Sequence, residues 1–146
     1  MEPHINSKTE NKKIKLDFKD SKYATGRRKR SIAKVWLKKG TGNILINGKT
    51  LNDYFKKQNL QMAIFRPFVV VKRENEFDIK CSVKGGGLSG QAGAIILGIA
   101  RAIVKFEPEL KPPLKKNKLT TRDSRVVERK KYGHRKARRS FQFSKR

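Results

Sequence analysis

The segment Leu88–Phe106 constrains the fold more than any other part of the chain. Its apolar residues recur at the spacing of one face of an α-helix, and they are Leu88, Ala92, Ile95, Ile96, Ile99, Ile103 and Phe106. Glycines and alanines stand among them, at positions 93, 94, 98, 100 and 102. Because such small side chains let a helix axis come close to a sheet, the segment predicts one long helix packed on β-strands.

The residues before this helix alternate as half-buried strands do. In residues 31–38 one face carries Ala33, Val35 and Leu37, and in residues 77–83 one face carries Phe77, Ile79, Cys81 and Val83. The glycine-rich residues 39–42 predict a hairpin that joins the first strand to Ile44–Ile46, and Asn47-Gly48 predicts a further turn. Residues 68–72 and 77–83 are expected to form a second hairpin around residues 73–76.

Shorter helices are predicted on either side. Thr50 suits the cap of a helix over residues 51–55, and residues 60–65 predict another that stops ahead of Pro67. A last short helix is expected from Thr120 or Thr121 to about Arg129. The predicted fold class is α/β of the α+β type: a two-layer sandwich of a four-stranded sheet with helices on one face, plus a long basic C-terminal tail.

Basic residues are concentrated at the two flanks of this body. The net charge is +26; residues 22–39 hold eight bases and no acid, and residues 111–146 hold fifteen bases and two acids. Pro112 and Pro113 are expected to end the folded body. We therefore expect a disordered or variable extension at 1–22, a globular domain at 23–111 and a basic tail at 112–146, with a polyanion as partner.

Several other classes are disfavoured. Cys81 is the one cysteine and lies on an apolar strand face, so it is interpreted as a buried residue. His4 and His134 have no carboxylates arranged around them, so no metal, no cofactor and no catalytic residue is expected. The longest apolar run, residues 92–104, is interrupted by Arg101 and falls short of a membrane span. The N-terminus resembles no targeting sequence.

Three consecutive glycines, Gly85, Gly86 and Gly87, precede the long helix. Backbone N–H groups at such a position can bind a phosphate. A Walker-type site is absent, because Gln91-Ala92 stands where a Lys-Ser or Lys-Thr pair belongs. Three interpretations stay open: contact with an RNA phosphate, a plain turn between strand and helix, and nucleotide binding. We expect neither Gly86 nor Gly87 to tolerate a side chain.

Two basic stretches flank the predicted body. Residues 26–30 read Gly-Arg-Arg-Lys-Arg and suit an extended chain between phosphate backbones, or else a localisation signal or adventitious patch. Residues 128–146 mix cations with Tyr132, Phe141 and Phe143, rings that can stack on unpaired bases. This mixture favours folded RNA over duplex DNA, and a non-specific solvated tail is the alternative.

These stretches together closely resemble ribosomal protein nine of the small subunit. The resemblance is carried by the glycine signature Gly85-Gly86-Gly87, Gly90-Gln91, Ala94, Gly98, Ala100-Arg101 and Ala102-Ile103, by the opening residues 23–29, and by Leu119, Asp123, Arg125, residues 128–131, Gly133, residues 136–138 and residues 142–146. It covers residues 23–146, about 85% of the chain. Residues 1–22 are an extension that shorter members lack.

The resemblance implies a structural, non-enzymatic protein of the small-subunit head that acts in translation. Its implied partners are ribosomal RNA of the three-prime major domain, neighbouring head proteins and the peptidyl-site transfer RNA, with no membrane. The implied ribosomal-RNA contacts are Arg27, Arg28, Lys29, Arg30, Gly85, Gly86, Gly87, Arg125, Arg129, Lys130, Lys131, Arg135, Lys136, Arg138 and Arg139. The implied transfer-RNA contacts are Ser144, Lys145 and Arg146.

The ending Phe-Ser-Lys-Arg resembles bacterial and organellar members of that family. It implies a ribosome of the bacterial cytoplasm or of an organelle matrix, the mitochondrion before the plastid. Two other classes are weighed against this one. Residues 86–90 also resemble the phosphate loop of galactokinase-type kinases, which carry serine pairs there and are about twice as long. A duplex-DNA module would need a recognition helix that the sequence lacks.

Overall fold

The computed structural model describes residues 19–146, so most of the predicted extension at 1–22 lies outside the described part of the chain. Within residues 19–146 one sheet is formed, with strand order β1-β2-β5-β3-β4. The strands are β1 Lys22–Arg28, β2 Ser31–Lys39, β3 Ile44–Ile46, β4 Lys49–Thr50 and β5 Phe77–Lys84. The helices are α1 Leu51–Tyr54, α2 Gln58–Val71, α3 Leu88–Phe106 and α4 Lys111–Lys116, with a 3₁₀ turn at Pro108–Leu110. The α+β class is confirmed, with five strands in place of the predicted four.

The pairing of the strands differs from both predicted hairpins. β2 pairs antiparallel with β1 on one side and with β5 on the other, so residues 31–38 do not pair with Ile44–Ile46. β3 instead lies parallel to β5. A parallel pair needs a long crossover, and here α1 and α2 provide it. The predicted turn at Asn47-Gly48 is confirmed, since it joins β3 to β4.

Residues 68–71, predicted as a strand, belong to α2. The buried residues of α2 are Ile64, Pro67, Phe68 and Val71, which follow the helical spacing of three and four. A short apolar run such as residues 68–71 fits a strand or a buried helix equally well. The preceding residues continue the same helical pattern of burial, and the run therefore forms the end of α2. Pro67 therefore stands inside the helix instead of ending it.

Two further segments differ from the prediction at the flanks. Residues 26–30 were predicted as an extended segment ahead of the first strand. Residues 22–28 instead form the edge strand β1, which a two-residue turn at Lys29 and Arg30 joins to β2. Residues 120–129 were predicted to contain a helix, and they form none. The two large apolar residues there, Val126 and Val127, are both exposed, so no apolar face exists to hold a helix against the body.

The core lies between the sheet and α3. The predicted inward residues of β2 and β5 are all buried, including Cys81, and α3 packs mainly on β1 and β2. By length and composition α3 would be able to cross a membrane, but it buries ten of its residues inside the fold. Leu88, predicted on the buried stripe, is about half exposed because it lies in the first turn, beyond the sheet.

The core continues past residue 111. Leu114 is fully buried and Leu119 nearly so, and both belong to the same hydrophobic cluster as α3. Pro112 and Pro113 occupy the first turn of α4, where a missing backbone N–H costs nothing, so they begin a helix. The predicted division at residue 111 stays a prediction, and the packing adds two leucines beyond it to the core.

At Gly26 the backbone of β1 lies directly against the backbone of α3. A Cβ at Gly26 would overlap the carbonyl oxygen of Ala94 and lie 2.5 Å from the backbone nitrogen of Gly98. The edge of β1 is also bound by α3: Arg101 Nη1 donates to the Thr25 carbonyl at 3.2 Å, and Lys105 Nζ donates to the Tyr23 carbonyl at 2.9 Å. Strand and helix are thus joined along their lengths.

We expect Gly26→Ala to lower the free energy of unfolding by about 3 kcal/mol or more, because the new methyl group meets backbone atoms that cannot rotate away. Urea unfolding followed by the fluorescence of Trp36 measures the effect. Thr25→Ala is the matched control: it changes the neighbouring residue on the opposite face of β1 and is expected to cost less than about 1 kcal/mol. Equal unfolding midpoints for the two variants would contradict the close contact.

Candidate nucleic-acid interface

A cleft of about 580 Å³ lies where α3 begins, and all three stretches singled out in the sequence meet there. The β1–β2 turn contributes Lys29 and Arg30, the glycine loop contributes Gly86 and Gly87, and the tail contributes Arg129 and Lys130. The sequence separates these groups by as much as a hundred residues. The fold therefore assembles a cleft with basic residues at its rim and a glycine wall, a combination that suits the binding of anionic groups.

The glycine loop is fixed to the β1–β2 turn. Gly85 and Gly86 have φ angles of +74° and +65°, and a side chain on either would meet Arg30 or Ser31. Ser31, a fully buried polar residue, donates from Oγ to the Gly85 carbonyl at 2.9 Å. These two glycines are thus required by the fold itself.

Gly87 differs from its neighbours. Its φ angle is −101°, which any residue adopts, and a Cβ there would have no atom of the described chain within 4 Å. The expectation that Gly87 tolerates no side chain is therefore wrong for the protein alone. Its bare backbone faces the cleft, where only a ligand would come close.

Asp123 connects the tail to the sheet. Its carboxylate forms ion pairs with Arg28 of β1 and with Arg125, whose Nη2 lies 2.8 Å away. Hydrogen bonds from Arg125 and Arg28 hold the pKa of Asp123 well below its usual range. The tail is thereby held beside the β1–β2 turn.

Glu128 organises the next part of the tail. Its two oxygens bind Lys131 Nζ at 2.7 Å and Arg138 Nε at 2.9 Å, and the pKa of Glu128 is lowered by the same two bases. Between them the chain reverses, because the backbone N–H of Arg135 donates to the Arg139 carbonyl at 2.7 Å. Asp123 and Glu128, the two acids of the tail, are therefore both used to shape it.

Most of the remaining tail cations form no ion pair within residues 19–146. They include Arg129, Lys130, Arg135, Lys136 and Arg139, all exposed. The rings of Tyr132 and Phe143 are 93% and 85% exposed, and Phe141 is exposed as well. The tail thus presents solvent-exposed basic side chains next to solvent-exposed aromatic rings.

The predicted site residues fall into five places. Lys29, Arg30, Gly86, Gly87, Arg129 and Lys130 line the cleft, with Gly85 behind it. Arg28, Arg125, Lys131 and Arg138 bind acids of the tail. Arg135, Lys136 and Arg139 lie in the reversal of the tail, and Ser144, Lys145 and Arg146 are exposed beyond it. Arg27 projects from the opposite face of the sheet to α3.

Two residues that position the glycine loop were not among the predicted site residues. Ser31 shares the inward face of β2 with Ala33 and Val35, and a serine among buried apolar residues is the signal that was available. Gln91 donates to the Gly85 carbonyl at 3.2 Å and accepts a hydrogen bond from Tyr54 at 2.8 Å. Both residues hold the glycine loop in place.

Chemistry of other kinds has little support in the described residues. Burial raises the pKa of the Cys81 thiol to about 12, so the thiolate that a nucleophile needs does not form near neutral pH. Residues 19–146 contain no cluster of three acidic, histidine or cysteine side chains able to hold a metal ion. The cleft is a candidate binding site because basic residues from two separate segments meet there beside the glycine loop.

A family model described as ribosomal protein S9/S16 matches residues 26–146. The match begins within β1 and runs to the last residue. It therefore includes every group that lines the cleft and the whole of the tail.

We expect the attachment of the tail at Asp123 to be lost in acid. Because hydrogen bonds from Arg125 and Arg28 lower the pKa of this carboxyl, its contribution is complete above its ordinary pKa of about 3.9. The contribution decreases below that value and is lost as the pH falls through the lowered pKa of the paired carboxyl. The NMR signal of the Arg28 guanidinium, followed from neutral pH into acid below the lowered pKa of Asp123, reports the loss.

At neutral pH, Asp123→Asn is expected to give the same change and to speed tryptic cleavage after Arg125. Glu128→Gln is the control, since it loosens the later reversal and leaves the pair between Arg28 and Asp123 intact. An Arg28 signal unaffected by Asp123→Asn would show that the pair does not form in solution.

Proposed function

Since the chain belongs to the ribosomal protein S9/S16 family, and is thus a structural RNA-binding protein of the small ribosomal subunit that acts in translation, we propose where it meets its RNA partners. The cleft at the start of α3 binds ribosomal RNA of the three-prime major domain in the subunit head. The end of the tail reaches the peptidyl-site transfer RNA. Neighbouring head proteins complete its surroundings.

The convergence of two basic segments on Gly87 is the observation that supports ribosomal-RNA binding at the cleft. Lys29 and Arg30 approach from the β1–β2 turn, and Arg129 and Lys130 approach from the tail. A phosphate between them would accept hydrogen bonds from the cations and lie against a backbone that carries no side chain. The fixed glycine loop means that this wall of the cleft and the β1–β2 turn beside it exist before RNA binds.

The other proposed ribosomal-RNA contacts extend from the cleft along the tail. Arg135, Lys136 and Arg139 are exposed, and exposed rings accompany them. Arg125, Lys131 and Arg138 are held by carboxylates, which fixes their direction and leaves guanidinium or ammonium groups on the surface. Cations with adjacent aromatic rings suit RNA that contains unpaired bases.

The proposed transfer-RNA contacts are Ser144, Lys145 and Arg146. They follow the reversal closed by Arg135 and Arg139 and have no packed neighbours among the described residues that would hold them to the body. We also propose that the part of the predicted tail 112–146 that follows the attachment at Asp123 orders on RNA, since Leu114 and Leu119 already belong to the core. Residues 1–22 form a variable extension, and the ribosome concerned is bacterial or organellar.

Gly87→Ala tests the cleft. The variant is expected to unfold at the same urea concentration as the natural protein, because its methyl group meets open space, and to bind small-subunit ribosomal RNA about tenfold more weakly, because the methyl group displaces a phosphate. Gly86→Ala is the contrast: it is expected to lose stability as well as RNA affinity. Unchanged RNA affinity in Gly87→Ala, measured by filter binding, would leave the glycine loop as a plain turn.

Deleting Lys145 and Arg146 tests the tail. Two phosphate contacts on loop RNA contribute about 0.7 each to the salt dependence of binding, so their loss is expected to flatten the slope by about 1.4 for transfer RNA. Affinity is measured over a salt series on small subunits that carry the truncated protein. Assembly and ribosomal-RNA binding should be unchanged, since the cleft is intact.

The matched control removes two charges from the body instead, with Lys56→Gln and Lys57→Gln between α1 and α2. This variant should leave the transfer-RNA slope unchanged. An unaltered slope in the truncated protein would mean that the tail ends short of the peptidyl-site transfer RNA.

A further inference from the structure

The face of the sheet opposite α3 is lined by aromatic and basic side chains. Alternation along the strands places Tyr23, Thr25 and Arg27 of β1 on this outer face, together with Ile32, Lys34 and Trp36 of β2. β5 adds Lys80, Ser82 and Lys84. Tyr23 and Ile32 are 40% and 42% exposed, values unusual for large apolar residues of a sheet. None of the described helices packs on this side.

The strand register arranges these residues in rows across the sheet. Tyr23 lies opposite Trp36, which lies opposite Lys80. Thr25, Lys34 and Ser82 form the next row, and Arg27, Ile32 and Lys84 form the third. The rings therefore stand at one end of the face and the Arg27 row at the other, with a lysine in each row.

Tyr23 and Trp36 form an aromatic pair in which the Tyr23 ring is exposed and the Trp36 ring is half-buried. Their ring centroids are 5.4 Å apart and the rings are tilted by 43°, so each supports the other without covering it. A fixed exposed ring is what stacking of an unpaired base requires, because every base has a π-face and little rearrangement is needed.

Basic groups dominate the charge of this face. Arg27, Lys34 and Lys84 form no ion pair within residues 19–146. Asp78 is the one acid on the outward positions of β1, β2 and β5, and its carboxylate already accepts from the backbone N–H groups of Thr41 at 3.0 Å and Asn43 at 2.9 Å. The face is therefore complementary to an anion, whereas the centre of a protein–protein interface is depleted of charge.

The face is continuous with the cleft. Lys84 directly precedes Gly85, and Arg27 stands two residues before Lys29 of the cleft. From the Arg27 row to the Tyr23 row the strands advance four residues, or about 13 Å. A chain of nucleotides leaving the cleft would meet the cations first and the two rings next.

We propose that this outer face binds single-stranded RNA, with bases stacked on Tyr23 and Trp36 and phosphates bound by Arg27, Lys34 and Lys84. The inference rests on the proposed RNA-binding function and adds to it a second surface and a preferred form of RNA. Duplex RNA is disfavoured here because its bases are already stacked on one another.

Trp36 is the one tryptophan of the chain, so its fluorescence reports this face alone. The full-length protein is titrated with a short oligouridylate and with duplex RNA of the same length, and labelled RNA is followed in parallel by anisotropy. The single strand is expected to quench Trp36 in step with binding, while duplex RNA binds at the cleft and tail with little quenching.

Two variants test the contacts. Tyr23→Leu keeps a large apolar group beside Trp36 but removes the stacking ring, and is expected to weaken the quenching interaction about tenfold. Lys34→Gln is expected to lower the salt dependence of quenching by about 0.7. Lys22→Gln, on the same edge strand but not on the outer face, should leave both quantities unchanged.

The outcomes separate this inference from the proposed function. If the oligouridylate binds by anisotropy while Trp36 is not quenched and Tyr23→Leu has no effect, the second surface is overturned and the cleft is unaffected. If neither RNA binds, both proposals fail. If the variants keep RNA binding but reduce incorporation into subunits, the face contacts a neighbouring protein and the inference is overturned.

Discussion

The contact of α3 with the backbone of β1 determines the rest of the structure. Because Gly26 carries no side chain, the Ala94 carbonyl lies directly against the strand. That approach fixes the start of α3 beside the β1–β2 turn, and the glycine loop must close the short distance back to β5. The two positive φ angles at Gly85 and Gly86 and the hydrogen bond from Ser31 follow from this closure. The cationic cleft is thus a product of helix–sheet packing, with side chains added at its rim.

The basic residues of the tail have two roles: some form ion pairs that hold the tail in place, and the others stay exposed to solvent. A chain with charge +26 would be expected to repel itself along its whole length. Asp123 attaches the tail to β1, and Glu128 closes a reversal by binding Lys131 and Arg138. These acids fix the path of the backbone, and the bases that they leave unpaired face outward. The two carboxylates therefore determine which basic residues hold the tail in position and which remain available to bind a ligand.

Local patterns in the sequence predicted the inner faces of β2 and β5, the helix α3 and the three stretches that meet at the cleft. The strand pairing was not predictable from these patterns, because the alternation of Ile44–Ile46 fits a position beside β2 or beside β5 equally well. The crossover through α2 places this strand beside β5. β1 was missed because glycine and arginines hide its alternation, although Ala24 and Gly26 face inward. The ion pair between Arg28 and Asp123 joins two residues that are 95 positions apart in the sequence, and no local pattern indicates such a pair.

The hydrogen bonds that Arg101 and Lys105 donate to the carbonyls of β1 cover part of an exposed edge of the sheet. β1 is an edge strand of seven residues, and an edge with unpaired carbonyls is a template on which a second chain can add a strand. Two long cationic side chains occupy those acceptors and place positive charge along the edge. A second strand could add here only by displacing both side chains, and another copy of the same basic chain would also meet their positive charge.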